Sequence, residues 1–244
     1  MQTPEPRGYL LLEGGAEFGG KMALADLRAI ELAGGLDAPN SILPTAAAPD
    51  DNHQRAGNNG ERWFRSLGAR RVAVLPLIDQ PSANDPAIAA ALRESRLIYL
   101  LGGFPGYLAQ TLAGSAGWAA LLDAYASGAV IAGSSAGAMV LCQYYYDPAR
   151  QQIAPGLGLI PNACVLPHHN TAGKGWVARL ERLLPEAVLL GIDERTGMLD
   201  DGASGRMAGW RVYGQGSVTL YHQGTPSVFP AGASFIERFD PELP

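Results

Sequence analysis

A serine in a glycine-rich turn is the residue of this sequence most suited to chemistry. The segment Gly133-Ser134-Ser135-Ala136-Gly137 matches the G-x-S-x-G pattern of a nucleophile elbow, whose spacing selects Ser135 over the adjacent Ser134. Small neighbours are needed there because the chain segments on either side of a sharp strand-to-helix turn come close together. The N–H group of Ala136, at the start of the following helix, can donate to a developing oxyanion. The pattern predicts a serine hydrolase, with a plain Gly/Ser turn as the alternative.

A serine nucleophile needs a base, and the chain offers only four histidines. His168 and His169 directly follow a predicted strand, where active-site loops lie in open α/β sheets. His53 lies in a polar loop, and His222 lies near the end of the chain. The sequence therefore predicts that His168 or His169 is the base.

The carboxylate that orients this base is expected at the end of the next predicted strand. Asp193 and Glu194 both stand there, and an ion pair with Arg195 or a helix cap is the alternative role for them. The order serine, histidine, acid differs from that of the α/β-hydrolases, in which the acid precedes the histidine. The shared elbow therefore does not indicate the α/β-hydrolase fold.

Continuous apolar segments alternate with helical segments through the first two thirds of the chain. Such strands are typical of a parallel sheet that is covered by helices on both faces. Strand, glycine turn and helix follow one another at Gly14, Gly102 and Gly133, and these turns gather at the carboxyl ends of the strands, where ligands bind. The predicted strands are residues 9–12, 41–45, 71–75, 97–101 and 129–132.

The last third of the chain predicts further strands at residues 163–166 and 188–192. From Arg211 onward, short strands alternate with turns, which predicts an antiparallel extension of the same domain. No Pro/Ser-rich linker interrupts the chain, so residues 1–244 are predicted to form a single α/β domain. Residues near 50–60 are rich in Asp, Asn and Gly and are predicted as a loop before a helix at about 61–66.

Composition excludes several classes of protein. The net charge is −5 and the basic residues are scattered, which argues against a nucleic-acid partner. No run of about 18 apolar residues occurs, so no membrane partner is expected. Cys142 and Cys164 have no CxxC partner and are expected to be buried free thiols, so neither a metal site nor another cofactor is predicted. The polar first residues carry no signal peptide, which indicates a cytoplasmic protein.

One segment comes close to a phosphate-binding loop. Residues 15–22 nearly match G-x-x-x-x-G-K-[S/T] and lie between a predicted strand and a predicted helix. Met22 stands where a hydroxyl group should reach magnesium, and Glu17 places negative charge inside the phosphate cradle. Nucleotide binding is therefore not expected.

Several segments, in this order and spacing, resemble the cyanophycinase and dipeptidase E family of serine peptidases over nearly the whole chain. They are Glu13-Gly14-Gly15-Ala16-Glu17, Ala33-Gly34-Gly35, Leu43-Pro44-Thr45-Ala46, Leu67-Gly68-Ala69, Leu101-Gly102-Gly103, Ala132-Gly133-Ser134-Ser135-Ala136-Gly137-Ala138, Pro167-His168 and Gly191-Ile192-Asp193-Glu194-Arg195-Thr196. The resemblance implies a class I glutamine amidotransferase-like fold, which is a three-layer αβα sandwich with a mainly parallel sheet. No cofactor is implied.

The resemblance also implies a role for each matched residue. Ser135 would stand where amidotransferases carry cysteine, with His168 as the general base and Glu194 as the orienting acid. Gly103 would give the second oxyanion N–H group, beside that of Ala136. The acid of this family has been assigned to more than one place, and Asp147, 12 residues after the serine (147 − 135), is the competing candidate.

The sequence departs from the family around the expected pocket. Phe104-Pro105 replace a Gln or Asn that helps to hold substrate, and Leu166-Pro167 replace the Asp-Gln of cyanophycinases. Only Lys174 lies where cyanophycinases carry several arginines. We therefore predict that cyanophycin, a charge-rich aspartate–arginine polymer, is not the substrate. Phe104, His169 and Asn170 are the predicted substrate contacts.

These observations predict a serine-type peptidase of the exopeptidase or dipeptidase kind, which hydrolyses a peptide or isopeptide bond through an acyl-enzyme on Ser135. Two alternatives stay open. One is a catalytically decayed member that binds a small ligand or takes part in an assembly. The other is an esterase or amidase for small acyl substrates. The expected partner is a small peptide, and a homodimer is left open.

Overall fold

Strands and helices alternate along the chain, which the computed structural model describes for residues 8–201, 209–222 and 224–236. The strands within these ranges are β1 (Tyr9–Glu13), β2 (Pro39–Leu43), β3 (Arg71–Val74), β4 (Leu97–Leu100), β5 (Val130–Ser134), β6 (Cys142–Asp147), β7 (Gln152–Pro155), β8 (Ile160–Leu166), β9 (Val188–Ile192), β10 (Thr196–Asp200), β11 (Gly209–Gly214), β12 (Ser217–His222), β13 (Thr225–Pro230) and β14 (Ser234–Ile236). The α-helices are α1 (Ala23–Leu32), α2 (His53–Ser66), α3 (Gln80–Ala83), α4 (Pro86–Glu94), α5 (Pro105–Leu112), α6 (Ala116–Ala126), α7 (Ala136–Leu141) and α8 (Val177–Leu183). Short 3₁₀ helices cover Gly20–Met22, Thr45–Asp50 and Gly173–Trp176.

The larger sheet has eight strands in the order β14-β11-β10-β1-β5-β4-β2-β3. The five predicted strands, β1 to β5, pair in parallel, and β10, β11 and β14 continue the sheet in antiparallel fashion. The predicted parallel sheet with an antiparallel C-terminal extension is therefore confirmed. β10, however, was not predicted as a strand.

Helices cover both faces of this sheet. Leu10 and Leu12 of β1 pack in one apolar cluster with helices α4, α5 and α6, whereas Leu11 packs on the opposite face with α1 and with Phe64 of α2. Alternate residues of one strand thus face two different helix layers, which explains why the strand is apolar throughout. The predicted three-layer sandwich is confirmed.

A second sheet was not predicted as a separate unit. It has six strands in the order β13-β12-β9-β8-β6-β7, with β8 parallel to both β6 and β9. The prediction missed β6 and β7, because β6 begins at Cys142 directly after α7 with no glycine or proline to mark the change. This sheet supplies strands β8 and β9, after which His168 and Asp193 follow.

The prediction of a loop over residues 50–60 was wrong for most of its length. Helix α2 begins at His53, not near residue 61. A Cβ atom on Gly57 would lie 2.5 Å from Val74 Cγ1, and one on Gly60 would lie 3.0 Å from Ile42 Cδ1. These glycines are in the helix because α2 packs tightly on the sheet, at a cost in helix propensity of about 1 kcal/mol each.

Both cysteines are buried free thiols, as predicted, and burial raises the pKa of Cys164 to about 12. None of the described helices is both long enough and apolar enough to span a bilayer.

Two carboxyl groups are fully buried between the larger sheet and helices α1 and α2. Glu13 accepts a hydrogen bond from the Tyr99 hydroxyl, and Asp26 Oδ2 accepts one from Trp63 Nε1 at 2.7 Å. Burial raises the pKa of Asp26 to about 7, and burial and the neighbouring Asp26 raise the pKa of Glu13. The pair therefore retains a proton at pH values where exposed carboxyl groups have lost theirs.

This pair predicts a pH-dependent stability. The folded state holds the Asp26 proton more tightly than the unfolded chain does, so the bound proton stabilises the fold. This stabilisation is complete below about pH 4 and is lost as the pH rises through about 7. The free energy of unfolding in urea should fall between pH 5 and pH 8 by on the order of a few kcal/mol. Asp26→Asn should flatten this decrease, whereas the exposed control Glu94→Gln should not. An equal decrease in all three proteins would contradict the assignment.

Candidate active site

Ser135 occupies the turn between β5 and α7 with φ 49° and ψ −112°. The turn is compact, since a Cβ atom on Gly133 would lie 2.5 Å from the carbonyl carbon of Gly137, and one on Gly137 would lie 2.1 Å from Leu100 O. The Ser135 N–H donates to Glu13 O at 3.0 Å. A non-glycine residue at positive φ is a strained conformation that tight surroundings must enforce. This is the geometry that the G-x-S-x-G spacing predicts.

His168 connects the serine to a carboxylate. Its Nε2 lies 3.0 Å from Ser135 Oγ, and its Nδ1 lies 2.9 Å from Glu194 Oε1. A carboxylate can only accept, so Nδ1 carries the proton and Nε2 is free to accept from the serine. The three side chains that the sequence singled out thus form one hydrogen-bonded chain.

The glycine turn after β1 holds the His168 ring in place. The His168 N–H donates to Gly14 O at 2.7 Å, and a Cβ atom on Gly15 would lie 2.3 Å from the ring carbon Cε1. His168 itself has a φ of 49°. Only glycine leaves room for the imidazole at position 15, so this turn supports the candidate base, His168.

Glu194 follows β9 and is fixed by three neighbours. Its N–H donates to Asn170 Oδ1 at 2.8 Å, and the Thr171 hydroxyl donates to Glu194 Oε1 at 3.3 Å. The hydrogen bond from His168 lowers the pKa of the Glu194 carboxyl, and the charge of Arg195 adds to the effect. The carboxylate is therefore ionised at neutral pH. Sequence reasoning missed Thr171, although a hydroxyl three residues after the histidine was the available signal.

Asp147, the competing acid, lies elsewhere. It ends β6, and its Oδ1 accepts from the N–H groups of Ala149 and Arg150 at 2.9 and 3.1 Å. Its described hydrogen bonds and its ion pair are local to this turn, and none reaches His168. The geometry therefore favours Glu194 as the partner of the histidine.

His169 points away from the serine. Its side chain is buried, with Nδ1 3.3 Å from Asp193 Oδ1 and Nε2 2.9 Å from the Tyr221 hydroxyl. Burial lowers the pKa of His169, which favours the neutral ring. Both ring nitrogens are engaged inside the fold, so the predicted substrate contact of His169 does not fit this geometry. Asp193, the other candidate acid, supports His169 and not the base.

Two backbone N–H groups flank the serine turn. Ala136 is the first residue of α7, so its N–H has no partner within the helix. Gly103 has a φ of +140°, and a Cβ atom on it would lie 2.2 Å from Ala46 O. The Phe104 N–H is engaged with that same carbonyl oxygen at 2.8 Å, and Pro105 has no N–H. Gly103 and Ala136 therefore remain the candidates for an oxyanion hole, as the sequence suggested.

A cavity of about 210 Å³ extends from the Gly102-Gly103 segment toward α2. Phe104 lines this cavity and has 43% of its surface exposed. Asn170 is exposed, but its Oδ1 is bound to the Glu194 N–H, so it supports the acid. Glu17, which sequence reasoning set aside, also lines the cavity. Within the described residues, no group of three His, Cys, Asp or Glu side chains is arranged to hold a metal ion.

Comparison with known proteins identifies the family of this chain. Residues 10–204 match the family model of Peptidase family S51. A cyanophycinase from Synechococcus elongatus is 29% identical over 229 residues, which is 88% of this chain and 68% of that protein.

Two solved structures of peptidases share the fold of this chain. A peptidase from an acI-B1 Actinobacterium superposes with a TM-score of 0.81 at 28% identity, covering 96% of this chain and 98% of the other. A putative peptidase E protein from Listeria monocytogenes EGD-e shares the fold, with a TM-score of 0.59 at 17% identity over 93% and 100% of the two chains. The family match covers most of the sequence and includes the serine, the histidine and the glutamate described above, so the chain belongs to Peptidase family S51.

Proposed function

We propose that this protein is a serine exopeptidase that hydrolyses a small peptide through an acyl-enzyme on Ser135. The observation that carries the proposal is the chain of contacts from Ser135 Oγ to His168 Nε2 at 3.0 Å and from His168 Nδ1 to Glu194 Oε1 at 2.9 Å. A nucleophile, a base and an orienting acid in hydrogen-bond reach are what acyl transfer needs. Membership of Peptidase family S51 supports peptide hydrolysis as the reaction.

Acylation begins with proton transfer from Ser135 Oγ to His168 Nε2 as Oγ bonds to the substrate carbonyl carbon. The carbonyl electron pair moves to the oxygen, which accepts hydrogen bonds from the N–H groups of Gly103 and Ala136. Glu194 stabilises the imidazolium through Nδ1. The carbon–nitrogen bond then breaks, and the leaving amine takes the proton from Nε2.

Deacylation repeats these steps with water. His168 Nε2 accepts a proton from a water molecule whose oxygen attacks the acyl carbon, and the oxyanion again forms between Gly103 and Ala136. The bond to Ser135 Oγ then breaks, and the serine recovers its proton from Nε2. The product acid leaves, so the cycle consumes one water and needs no metal or organic cofactor.

The cavity at Gly103 and the Phe104 ring support a small residue next to the serine turn. A volume of about 210 Å³ lies below the roughly 300–1,000 Å³ that is usual for sites of drug-sized ligands, so this cavity suits one amino-acid residue of the substrate. Phe104 brings an apolar ring to the place where the family has a polar amide. The apolar ring supports a small peptide, not the charge-rich cyanophycin, as the substrate.

A catalytically decayed member is the second candidate, and Phe104-Pro105 is the observation behind it. Pro105 begins α5, where its missing N–H costs nothing and its fixed φ suits the first helical turn. The substitution therefore leaves the Gly103 N–H in place. An esterase or amidase for small acyl groups would use the same residues as the peptidase, so substrates must separate the two.

The proposed reaction predicts a defined loss in one variant. Wild type should hydrolyse members of a panel of dipeptides that begin with Asp, isoAsp, Glu, Ala or Leu. Ser135→Ala should lower the rate at least about 10³-fold because it removes the nucleophile. Product release is measured by chromatography, with the exposed Ser227→Ala as the matched control. Hydrolysis of small esters but of no peptide would favour the esterase, and no hydrolysis of either kind would favour the decayed member.

The orienting role of Glu194 predicts a contrast between two acids. Glu194→Gln should lower kcat about 10²–10⁴-fold with little change in KM, because the wrong imidazole tautomer is then favoured. Asp147→Asn should stay near the wild-type rate, since an amide oxygen can still accept from the Ala149 and Arg150 N–H groups. Steady-state kinetics on the best dipeptide would check both. The reverse ranking would reassign the acid to Asp147.

Purified wild type should release no aspartyl-arginine dipeptides from cyanophycin under conditions in which it hydrolyses its best small peptide. A genuine cyanophycinase serves as the positive control on the same polymer preparation. Release of the dipeptide by wild type, and its absence with Ser135→Ala, would overturn this part of the proposal.

A further inference from the structure

The carboxylate of Glu17 lies beside the nucleophile turn and has no basic partner among the described residues. The Ser134 hydroxyl donates to Glu17 Oε2 at 2.8 Å. A Cβ atom on Gly102 would lie 3.8 Å from Glu17 Oε1 and 3.2 Å from Ser135 Cβ. Glu17 and Ser135 therefore both lie next to Gly102. Glu17 takes part in none of the ion pairs among the described residues.

The backbone around Glu17 is fixed. Ala16 and Phe18, its two neighbours, both have positive φ angles, 55° and 63°. The Phe18 ring anchors the segment, with its centroid 6.4 Å from that of Phe64 and 5.5 Å from that of Tyr99. Strained backbone of this kind persists only where the surroundings enforce it. Glu17 is therefore a positioned group and not a mobile surface acid.

Glu17 also lies where two cavities meet. Together with Phe18 and Asn59 it lines both the cavity of about 210 Å³ at Gly103 and an outer, more open one of about 620 Å³. The inner cavity has two acidic lining residues, Glu17 and Asp50, and no basic one among the described residues. Arg62 lines only the outer cavity, where its guanidinium donates to Asn59 Oδ1.

An unpaired carboxylate at this place has a chemical consequence. It repels the oxyanion that forms at Ser135 unless a positive charge lies between the two. In a peptide substrate, the α-nitrogen of the residue that forms the acyl-enzyme lies about 2.5 Å from the attacked carbonyl carbon. A free α-ammonium group there would be close enough to both the oxyanion and Glu17 to pair with them.

We propose that Glu17 binds the α-ammonium group of the substrate's first residue, which makes the enzyme an aminopeptidase for short peptides with a free N-terminus. This inference rests on the proposed function. It further predicts that a neutral first side chain is preferred over an acidic one, because a second carboxylate would add to the repulsion from Glu17 and Asp50.

Wild-type selectivity tests the inference without any variant. Leucine p-nitroanilide should be hydrolysed with a kcat/KM at least about tenfold above that of its N-acetyl derivative, because acetylation removes the charge that Glu17 pairs with. N-acetyl-arginine p-nitroanilide separates an α-ammonium site from a site for a basic side chain. Aspartic acid α-p-nitroanilide tests the preference against an acidic side chain, and is expected to be cleaved more slowly than the leucine substrate.

The variant Glu17→Gln tests whether Glu17 causes the selectivity for a free α-ammonium group. The variant should lose at least about tenfold in kcat/KM on leucine p-nitroanilide and change little on the N-acetyl derivative, so that the selectivity narrows. Glu94→Gln, at an exposed position away from the cleft, is the matched control. Labelling of Ser135 by a fluorophosphonate probe is followed in all three proteins and should persist in Glu17→Gln.

The outcomes separate the two proposals. If wild type is not labelled and cleaves none of the substrates, the proposed function fails and this inference fails with it. If wild type is labelled, any of four results overturns the inference alone. Two concern wild-type selectivity: equal rates on leucine p-nitroanilide and its N-acetyl derivative, or faster cleavage of N-acetyl-arginine p-nitroanilide than of leucine p-nitroanilide. The other two are cleavage of none of these substrates, and an equal loss of kcat/KM on free and acetylated leucine p-nitroanilide in Glu17→Gln.

Discussion

The backbone of Ser135, strained at a positive φ and a negative ψ, fixes the point at which the other residues of the candidate site must meet it. A serine at φ 49° persists only because the surrounding chain cannot relax. Gly133 and Gly137 let the ends of the turn approach each other and the neighbouring strand, and the Ser135 N–H is bound to Glu13 O. Strand β5, which precedes the serine, lies between the parallel strands β1 and β4, so its carboxyl end is held on both sides.

The other two members of the chain of contacts come from the smaller sheet. His168 follows β8 and Glu194 follows β9, and these adjacent parallel strands bring both side chains to one edge. The glycine turn after β1 joins this edge to the larger sheet, since Gly14 O accepts from the His168 N–H and Gly15 O from the Arg195 N–H. Precise contact between serine and histidine therefore depends on the packing of two sheets and not on one loop.

The sequence predicted much of the fold and of the candidate site. The apolar strands and the serine turn predicted the larger sheet and Ser135, because each depends on local pattern. Local pattern left His168 or His169 as the base and Asp193 or Glu194 as the acid, and the family resemblance implied His168 and Glu194. The first part of helix α2, residues 53–60, and strand β6 were missed because tertiary contacts decide them: Gly57 and Gly60 allow close packing of α2, and β6 starts without a turn residue. The burial of His169 and the position of Glu17 were equally beyond local pattern, because each depends on residues distant in the chain.

A nucleophilic Ser135 that is activated by His168 should react with diisopropyl fluorophosphate. Intact mass measurement and peptide mapping should then show one adduct per chain, located on Ser135, that forms at least about 10³-fold more slowly in His168→Ala. An adduct on Ser134, or labelling at the same rate in His168→Ala, would show that Ser135 is not a nucleophile activated by His168.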